Sequence, residues 1–89
     1  MALLDLLGRR WALRVLWELR EGPGTFRELR QRCDEVSPTV LNARLRELRD
    51  AGVVEHRDEG GFRATEHGES LLRALSPLHG WAASWAKRR

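Results

Sequence analysis

The sequence predicts a mainly α-helical fold with one small β-hairpin, and three observations support this prediction. Apolar residues recur at helical spacing along most of the chain, and capping residues stand where such segments begin. Two glycines, Gly60 and Gly61, separate two short segments that have the composition of strands. The 89 residues contain no linker, repeat or low-complexity tract, so we expect a single domain.

Two helices are predicted before residue 22. The first spans residues 2–7 and stops near Gly8. The second spans residues 11–20, where the apolar residues leave only a narrow polar stripe. A helix with so small a polar side has to bury most of its surface, so we expect the second helix to lie in the core.

The third helix has a clear start in the sequence. The motif GPG at residues 22–24 ends the preceding helix, and Thr25 and Glu28 have the spacing of a capping box. The helix is therefore predicted to begin within a residue or two of Thr25 and to end near Cys33.

The fourth helix is predicted from Ser37 to Ala51. Ser37 is a favourable N-cap, and Pro38 suits the first helical position because its missing N–H would have no partner there. Gly52 supplies the C-terminal stop.

A hairpin is predicted after the fourth helix, with the segments VVEHRD and FRAT as its strands. A turn at Gly60 and Gly61 would place Asp58 across from Arg63. Thr65 can then cap a last helix, whose apolar seam repeats at spacings of four and three. The seam consists of Leu71, Leu75, Leu78, Ala82 and Trp85. Pro77 interrupts it, so we expect this helix to kink or to restart there.

The side of the fourth helix opposite its apolar line has an unusual composition. Leu41, Leu45 and Leu48 form the apolar line, and the opposite side carries Thr39, Asn42, Ala43 and Arg46. Asn pairs bidentately with adenine, Arg pairs with guanine, and Thr or Ala methyl groups pack against the thymine methyl in the major groove. This composition favours a DNA-reading helix, and the alternative is an ordinary solvated helix face.

A helix, a short turn, a second helix and a two-stranded hairpin follow each other in the order of a winged helix-turn-helix. The single domain 1–89 then divides into a helix-turn-helix at 25–52, a wing at 53–64 and terminal dimerisation helices at 1–8 and 66–88. Three segments, LLGRRWALRVLWELREGPGTFRELRQ, SPTVLNARLRELRDAGVVE and TEHGESLL, resemble the HxlR family of bacterial transcriptional regulators. The resemblance covers about residues 3 to 85.

The resemblance implies a homodimeric regulator whose helix from Ser37 to Ala51 enters the major groove of an inverted-repeat operator. The hairpin would touch the flanking backbone or the minor groove, although this wing is short and offers mainly Arg57 and Arg63. Many family members sense thiol-reactive signals with a cysteine ahead of the first helix. No cysteine stands there in this sequence, so we expect no redox sensing of that kind.

Two sets of site residues follow from these observations. Asn42 and Arg46 are expected to read bases. Arg44 and Arg49 flank this surface and either contact phosphates or stay exposed without a contact. The full set of predicted DNA contacts is Ser37, Pro38, Thr39, Asn42, Ala43, Arg44, Arg46, Arg49, Arg57 and Arg63. Apolar residues at both ends of the chain have no place in the core of a lone winged helix and predict a dimer interface. They are Leu3, Leu7, Leu75, Leu78, Trp81 and Trp85.

Composition limits the other classes of function. The net charge of +3 suits a polyanionic partner, and all but one of the 16 basic residues are Arg. No apolar run is long enough to cross a membrane, and the single cysteine, Cys33, fits a reducing cytoplasm and a buried apolar thiol. The three histidines lack metal-ligand spacing, and no catalytic set is present, so we expect no metal, no cofactor and no enzyme. A winged helix used only for protein assembly is the remaining alternative, and the sequence does not identify a small-molecule effector.

Overall fold

Residues 2–88 fold into five α-helices and one two-stranded antiparallel hairpin in the computed structural model, which describes these residues except the side chains of Ala2 and Leu3. The helices are α1 Ala2–Leu7, α2 Ala12–Glu18, α3 Phe26–Arg32, α4 Pro38–Asp50 and α5 Glu66–Lys87, with a 3₁₀ turn at Leu19–Glu21. The strands are β1 Val54–Arg57 and β2 Gly61–Ala64. The predicted fold class is confirmed. Of the residues predicted for a dimer interface, Leu3 has its side chain outside the described part of the chain.

Local capping explains where α3 and α4 begin. Thr25 and Glu28 form a reciprocal capping box, in which the Thr25 hydroxyl accepts from Glu28 N at 3.1 Å and Glu28 Oε1 accepts from Thr25 N at 2.8 Å. The Ser37 hydroxyl accepts from Val40 N at 3.4 Å, and Pro38 occupies the first helical position. Both predicted helix starts are therefore confirmed.

Helices α2, α3 and α4 enclose the core, which is almost wholly aliphatic. The largest fully buried side chains are Leu16, Leu29, Leu41, Leu45, Leu48, Val15 and Cys33. The prediction that the second helix is largely buried holds for one side only, because Leu13 is exposed and Trp17 is half-buried. On that side α5 meets α2 through a stack of Trp17 on His79, with ring centroids 4.4 Å apart, and a groove remains between Leu13 and Leu78.

The hairpin register differs from the predicted one. Glu55, and not Asp58, lies opposite Arg63, and Arg57 pairs with Gly61 across a three-residue turn. The register follows from Gly61, which has φ +71° and approaches Gly24 so closely that a Cβ atom would lie 2.5 Å from the Gly24 carbonyl oxygen. Two backbone hydrogen bonds then join Gly24 to Phe62, at 3.0 and 2.8 Å. A contact with the chain ahead of α3 thus fixes where β2 begins.

Helix α5 begins against the segment that links α4 to β1. The Thr65 hydroxyl accepts from Gly68 N at 3.1 Å and donates to the Gly52 carbonyl at 2.6 Å, while Thr65 N donates to the Val53 carbonyl at 3.0 Å. The helix then runs through Pro77 without ending, so of the two predicted outcomes the restart is excluded and the kink stays a prediction. Pro77 removes the hydrogen-bond donor for the carbonyl of Arg73, four residues earlier, and because Arg73 is exposed water can solvate that carbonyl. None of the helices within residues 2–88 has the length and apolarity needed to cross a bilayer.

Cys33 lies at the C-terminal end of α3 and is fully buried in the core, as predicted. Burial raises the pKa of its thiol because the surrounding protein disfavours the thiolate. The thiolate is the reactive form of cysteine, so this thiol is expected to be inert toward oxidants in the folded protein.

We expect Cys33→Ser to lower the free energy of unfolding by about 1 to 3 kcal/mol, because a hydroxyl would replace an apolar thiol in a dry site. Urea unfolding followed by tryptophan fluorescence measures the change. Cys33→Ala is the matched control, since it removes the same sulfur without adding a polar group, and it should cost less. Equal losses in the two variants would show that the site tolerates a hydroxyl.

Candidate nucleic-acid interface

Helix α4 buries one side and exposes the other. Leu41, Leu45 and Leu48 face the core, whereas Thr39, Asn42 and Arg46 are exposed and Ala43 between them is half-buried. Ser37 and Pro38 are exposed at the start of the helix. The structure therefore brings most of the predicted DNA contacts onto one continuous surface, which we call the α4 surface. Its members are Ser37, Pro38, Thr39, Asn42, Ala43, Arg46 and Arg49.

The guanidinium groups of the α4 surface are available to a partner. Within residues 2–88 neither Arg46 nor Arg49 forms a salt bridge, and both are exposed. Together with Asp50 they line a groove between α4 and β1, whose opposite wall includes Val54, Glu55 and His56. Two carboxylates therefore share the groove with the two guanidinium groups, so what suits an anion such as a phosphate is the exposure of Arg46 and Arg49 and not a net positive charge of the groove.

His56 belongs to this groove and was not predicted as a site residue. Its ring stacks on Phe62, the residue opposite it in the hairpin, with centroids 4.4 Å apart. The signal in the sequence was strand alternation, which places His56 on the same side of β1 as Val54. Strand alternation identifies His56 as a groove residue only once α4 is known to lie along this side of β1.

Arg44 lies on the other flank of α4, away from the groove. Its Nε atom is 2.9 Å from Glu47 Oε1, and its Nη1 atom donates to the Arg10 carbonyl at 3.4 Å. Only 17% of the side chain is exposed. The structure thus places Arg44 against the turn between α1 and α2, and its predicted phosphate contact stays a prediction.

The wing carries two arginines that share one carboxylate. Arg63 forms an ion pair with Glu55 across the hairpin, and the more exposed Arg57 has its Nε atom 3.3 Å from the same Glu55 oxygen. The hydrogen bond from Arg63 lowers the pKa of Glu55 below its ordinary value. Of the two predicted wing contacts, Arg57 therefore has the freer charge.

The C-terminal half of α5 presents an apolar surface. Leu78 and Trp81 are 52% and 62% exposed, and the Trp81 and Trp85 rings stack with centroids 6.2 Å apart. Leu75 is half-buried at the near end of this surface, and Leu7 of α1 is half-buried as well. Exposed apolar surfaces of this kind on soluble proteins usually mark sites of association.

Comparison with known proteins identifies the family. Residues 6–89 match the family model described as HxlR-like helix-turn-helix. The chain belongs to this family. The HxlR-like resemblance predicted from the three sequence segments is therefore confirmed.

Relatives of this HxlR-like chain include both sequences and solved structures. The uncharacterized HTH-type transcriptional regulator YvaP of Bacillus subtilis is 30% identical over 90 residues, which cover 92% of this chain and 82% of YvaP. A possible HxlR family transcriptional factor from Thermoplasma volcanium superposes with a TM-score of 0.88 at 27% identity, covering 94% of this chain and 81% of that one. The structure of quinone-bound YodB from B. subtilis superposes with a TM-score of 0.82 at 29% identity, covering 93% of this chain and 92% of that one. These relatives support a DNA-binding transcriptional regulator with a winged helix-turn-helix.

Proposed function

We propose that this HxlR-like protein binds double-stranded DNA sequence-specifically as a homodimer and thereby regulates transcription from the cytoplasm. The observation that carries the proposal is the α4 surface, where small side chains at the start of the helix are followed by the amide of Asn42 and by the Arg46 guanidinium, which has no salt bridge within residues 2–88. A helix with this surface fits the major groove, and its side chains match the groups exposed on base edges. We propose that α4 is the recognition helix.

The residues of the α4 surface take different roles in this proposal. Asn42 and Arg46 read bases, and the methyl groups of Thr39 and Ala43 pack on thymine. Ser37 and Pro38 bring the positive end of the α4 dipole close to a phosphate. Arg49 and Arg57, whose side chains are exposed, bind phosphates that fix the register of the helix.

The homodimer is proposed from the apolar surface of α5. A two-fold arrangement would bury the same surface from both subunits, including Leu75, Leu78, Trp81 and Trp85. Leu3 and Leu7 of α1, which the sequence predicts for the interface, are included in this proposal. Such a dimer would present two α4 helices to successive turns of the major groove, about 34 Å apart or a small multiple of that distance. The matching operator is an inverted repeat.

A winged helix used only for protein assembly is the second candidate. In that case the arginines of the α4 surface would meet an acidic protein instead of DNA. Measurements of DNA binding separate the two functions. A sequence-specific regulator should prefer particular DNA sequences and lose affinity as salt rises, whereas a protein-assembly module should show no preference for any DNA sequence. YodB is described as quinone-bound. Because Cys33 is the single cysteine of this sequence and is buried, we do not propose that a quinone reacts with this chain.

We expect Asn42→Ala and Arg46→Ala each to lose about 1 to 3 kcal/mol of discrimination at particular base positions. Selection of bound sequences from a random DNA pool, followed by titration of single-base variants of the selected site, measures the loss. Arg49→Ala is the control, since a lost phosphate contact should weaken binding to all sequences alike. It should also reduce the slope of log affinity against log salt concentration by about 1 per subunit. If Asn42→Ala and Arg46→Ala also weakened all sequences alike, their assignment as base readers would be wrong.

A further inference from the structure

We propose that Glu47 is a positioning residue of the recognition helix, which holds Arg44 away from the DNA and ties α4 to the turn after α1. The inference rests on the proposed DNA binding and deepens it. Glu47 is not among the site residues predicted from the sequence, and the inference gives Arg44 a role different from a phosphate contact.

Glu47 contacts two arginines at once, one through each carboxylate oxygen. Its Oε1 atom lies 2.9 Å from Arg44 Nε on the same helix, three residues earlier. Its Oε2 atom lies 2.9 Å from Arg9 Nε, in the turn that joins α1 to α2. Arg44 in turn donates to the carbonyl of Arg10 at 3.4 Å. The recognition helix is therefore joined to the turn between α1 and α2 by two contacts, one from Glu47 to Arg9 and one from Arg44 to the Arg10 carbonyl.

The Arg44 contact is shielded from water. The Nε atom of Arg44 and the Oε1 atom of Glu47 are both inaccessible to solvent, and they meet as an ion pair without the alignment of a hydrogen bond. An ion pair out of reach of water is screened less by salt than one on the surface, and separating it leaves a buried carboxylate oxygen without its charge partner. Arg44 is therefore expected to stay with Glu47 when DNA approaches.

The consequence for binding is a smaller number of phosphate contacts. Arg44 follows Ala43 of the α4 surface, and in the proposed docking an arginine released from Glu47 is expected to reach the DNA backbone. Phosphate contacts raise the affinity for every sequence, whereas base contacts distinguish between sequences. By holding Arg44, Glu47 lowers the share of binding that does not depend on sequence.

The test is the salt dependence of binding to a short DNA duplex of arbitrary sequence. Each neutralised phosphate adds about 0.9 to the slope of log affinity against log salt concentration, so Glu47→Gln should steepen the slope by about 2 in a dimer. Between about 50 and 200 mM salt its affinity advantage over the native protein should then shrink about tenfold. Gln keeps the size of the side chain and removes only the charge, so the helix is expected to stay folded.

Three variants identify the source of this change. Arg44→Ala in the native background should leave the slope unchanged, and this result does not depend on whether Glu47→Gln folds. The double variant Glu47→Gln/Arg44→Ala has the native net charge and should return to the native slope. Glu69→Gln, which removes an exposed carboxylate from α5, controls for net charge alone.

The outcomes separate this inference from the function on which it rests. If the native protein did not bind the duplex at low salt, the proposed DNA binding would be wrong and the role of Glu47 would fall with it. If the native protein bound but Arg44→Ala flattened its slope by about 2, Arg44 would already contact DNA and only the role of Glu47 would be overturned. A steeper slope that persisted in the double variant would assign the gain to Arg9 or to net charge, against the proposal.

Discussion

Replacing Leu78 and Trp81 together by Glu is expected to separate the protein into monomers and to lower its specific DNA affinity by about 10³-fold, toward the level of non-specific binding. Both side chains are more than half exposed in the single chain, so the substitutions should leave each subunit folded. In the proposed dimer the same substitutions would bury four carboxylates in an apolar interface, which a stable dimer does not tolerate. A monomer then offers one recognition helix to an operator built for two.

Sedimentation equilibrium at micromolar concentration measures the state of association, and titration of the selected operator measures the affinity. Ala83→Glu is the matched control, because Ala83 is exposed on the opposite side of α5 and its substitution adds the same charge outside the proposed interface. This control should stay dimeric. A native mass near 10.3 kDa, instead of twice that value, would show that the dimer does not form.

Gly68→Ala is expected to lower the free energy of unfolding by about 3 kcal/mol, the upper end of the usual cost of overpacking. A Cβ atom at Gly68 would lie 2.0 Å from the Val53 carbonyl oxygen. That carbonyl cannot easily retreat, because it accepts the hydrogen bond from Thr65 N and its neighbour Gly52 accepts from the Thr65 hydroxyl. The start of α5 would have to move away from the link between α4 and β1.

Gly80→Ala provides the comparison for this variant within the same helix. Apart from the adjoining backbone of its own helix, no atom of the described residues lies within 4 Å of a Cβ built at Gly80, so this substitution should stabilise the protein by up to about 1 kcal/mol through helix propensity alone. Urea unfolding of both variants measures the difference. If Gly68→Ala were as stable as Gly80→Ala, the close approach of α5 to Val53 would not exist in solution.

The sequence predicted those features that depend on neighbouring residues. The capping box at Thr25 and the cap at Ser37 involve atoms three residues apart, and both helices begin where these motifs placed them. The exposed side of α4 followed from its periodicity. Features that depend on distant parts of the chain were missed, because no local pattern records them. The hairpin register is fixed by Gly24, more than thirty residues before β2, and the position of Arg44 depends on Arg10 as well as on nearby Glu47.

Pro77 illustrates a different limit of sequence reasoning. A proline removes one helical hydrogen bond wherever it stands, but the cost depends on whether water can reach the carbonyl left without a donor. The pattern around Pro77 does not reveal that Arg73, whose carbonyl loses its donor, is exposed, and the structure shows the helix continuing.

The hydrogen bonds between Gly24 and Phe62 have a mechanical consequence. They fasten the hairpin to the start of α3, while Thr65 fastens its other end to the link after α4. The helix-turn-helix and the wing are thereby expected to move together as one rigid unit, which we call the head. The exposed residues 76–88 of α5 extend from it, and we call them the stalk. In the proposed dimer, a small change of angle between two such stalks would alter the distance between the heads without deforming either of them.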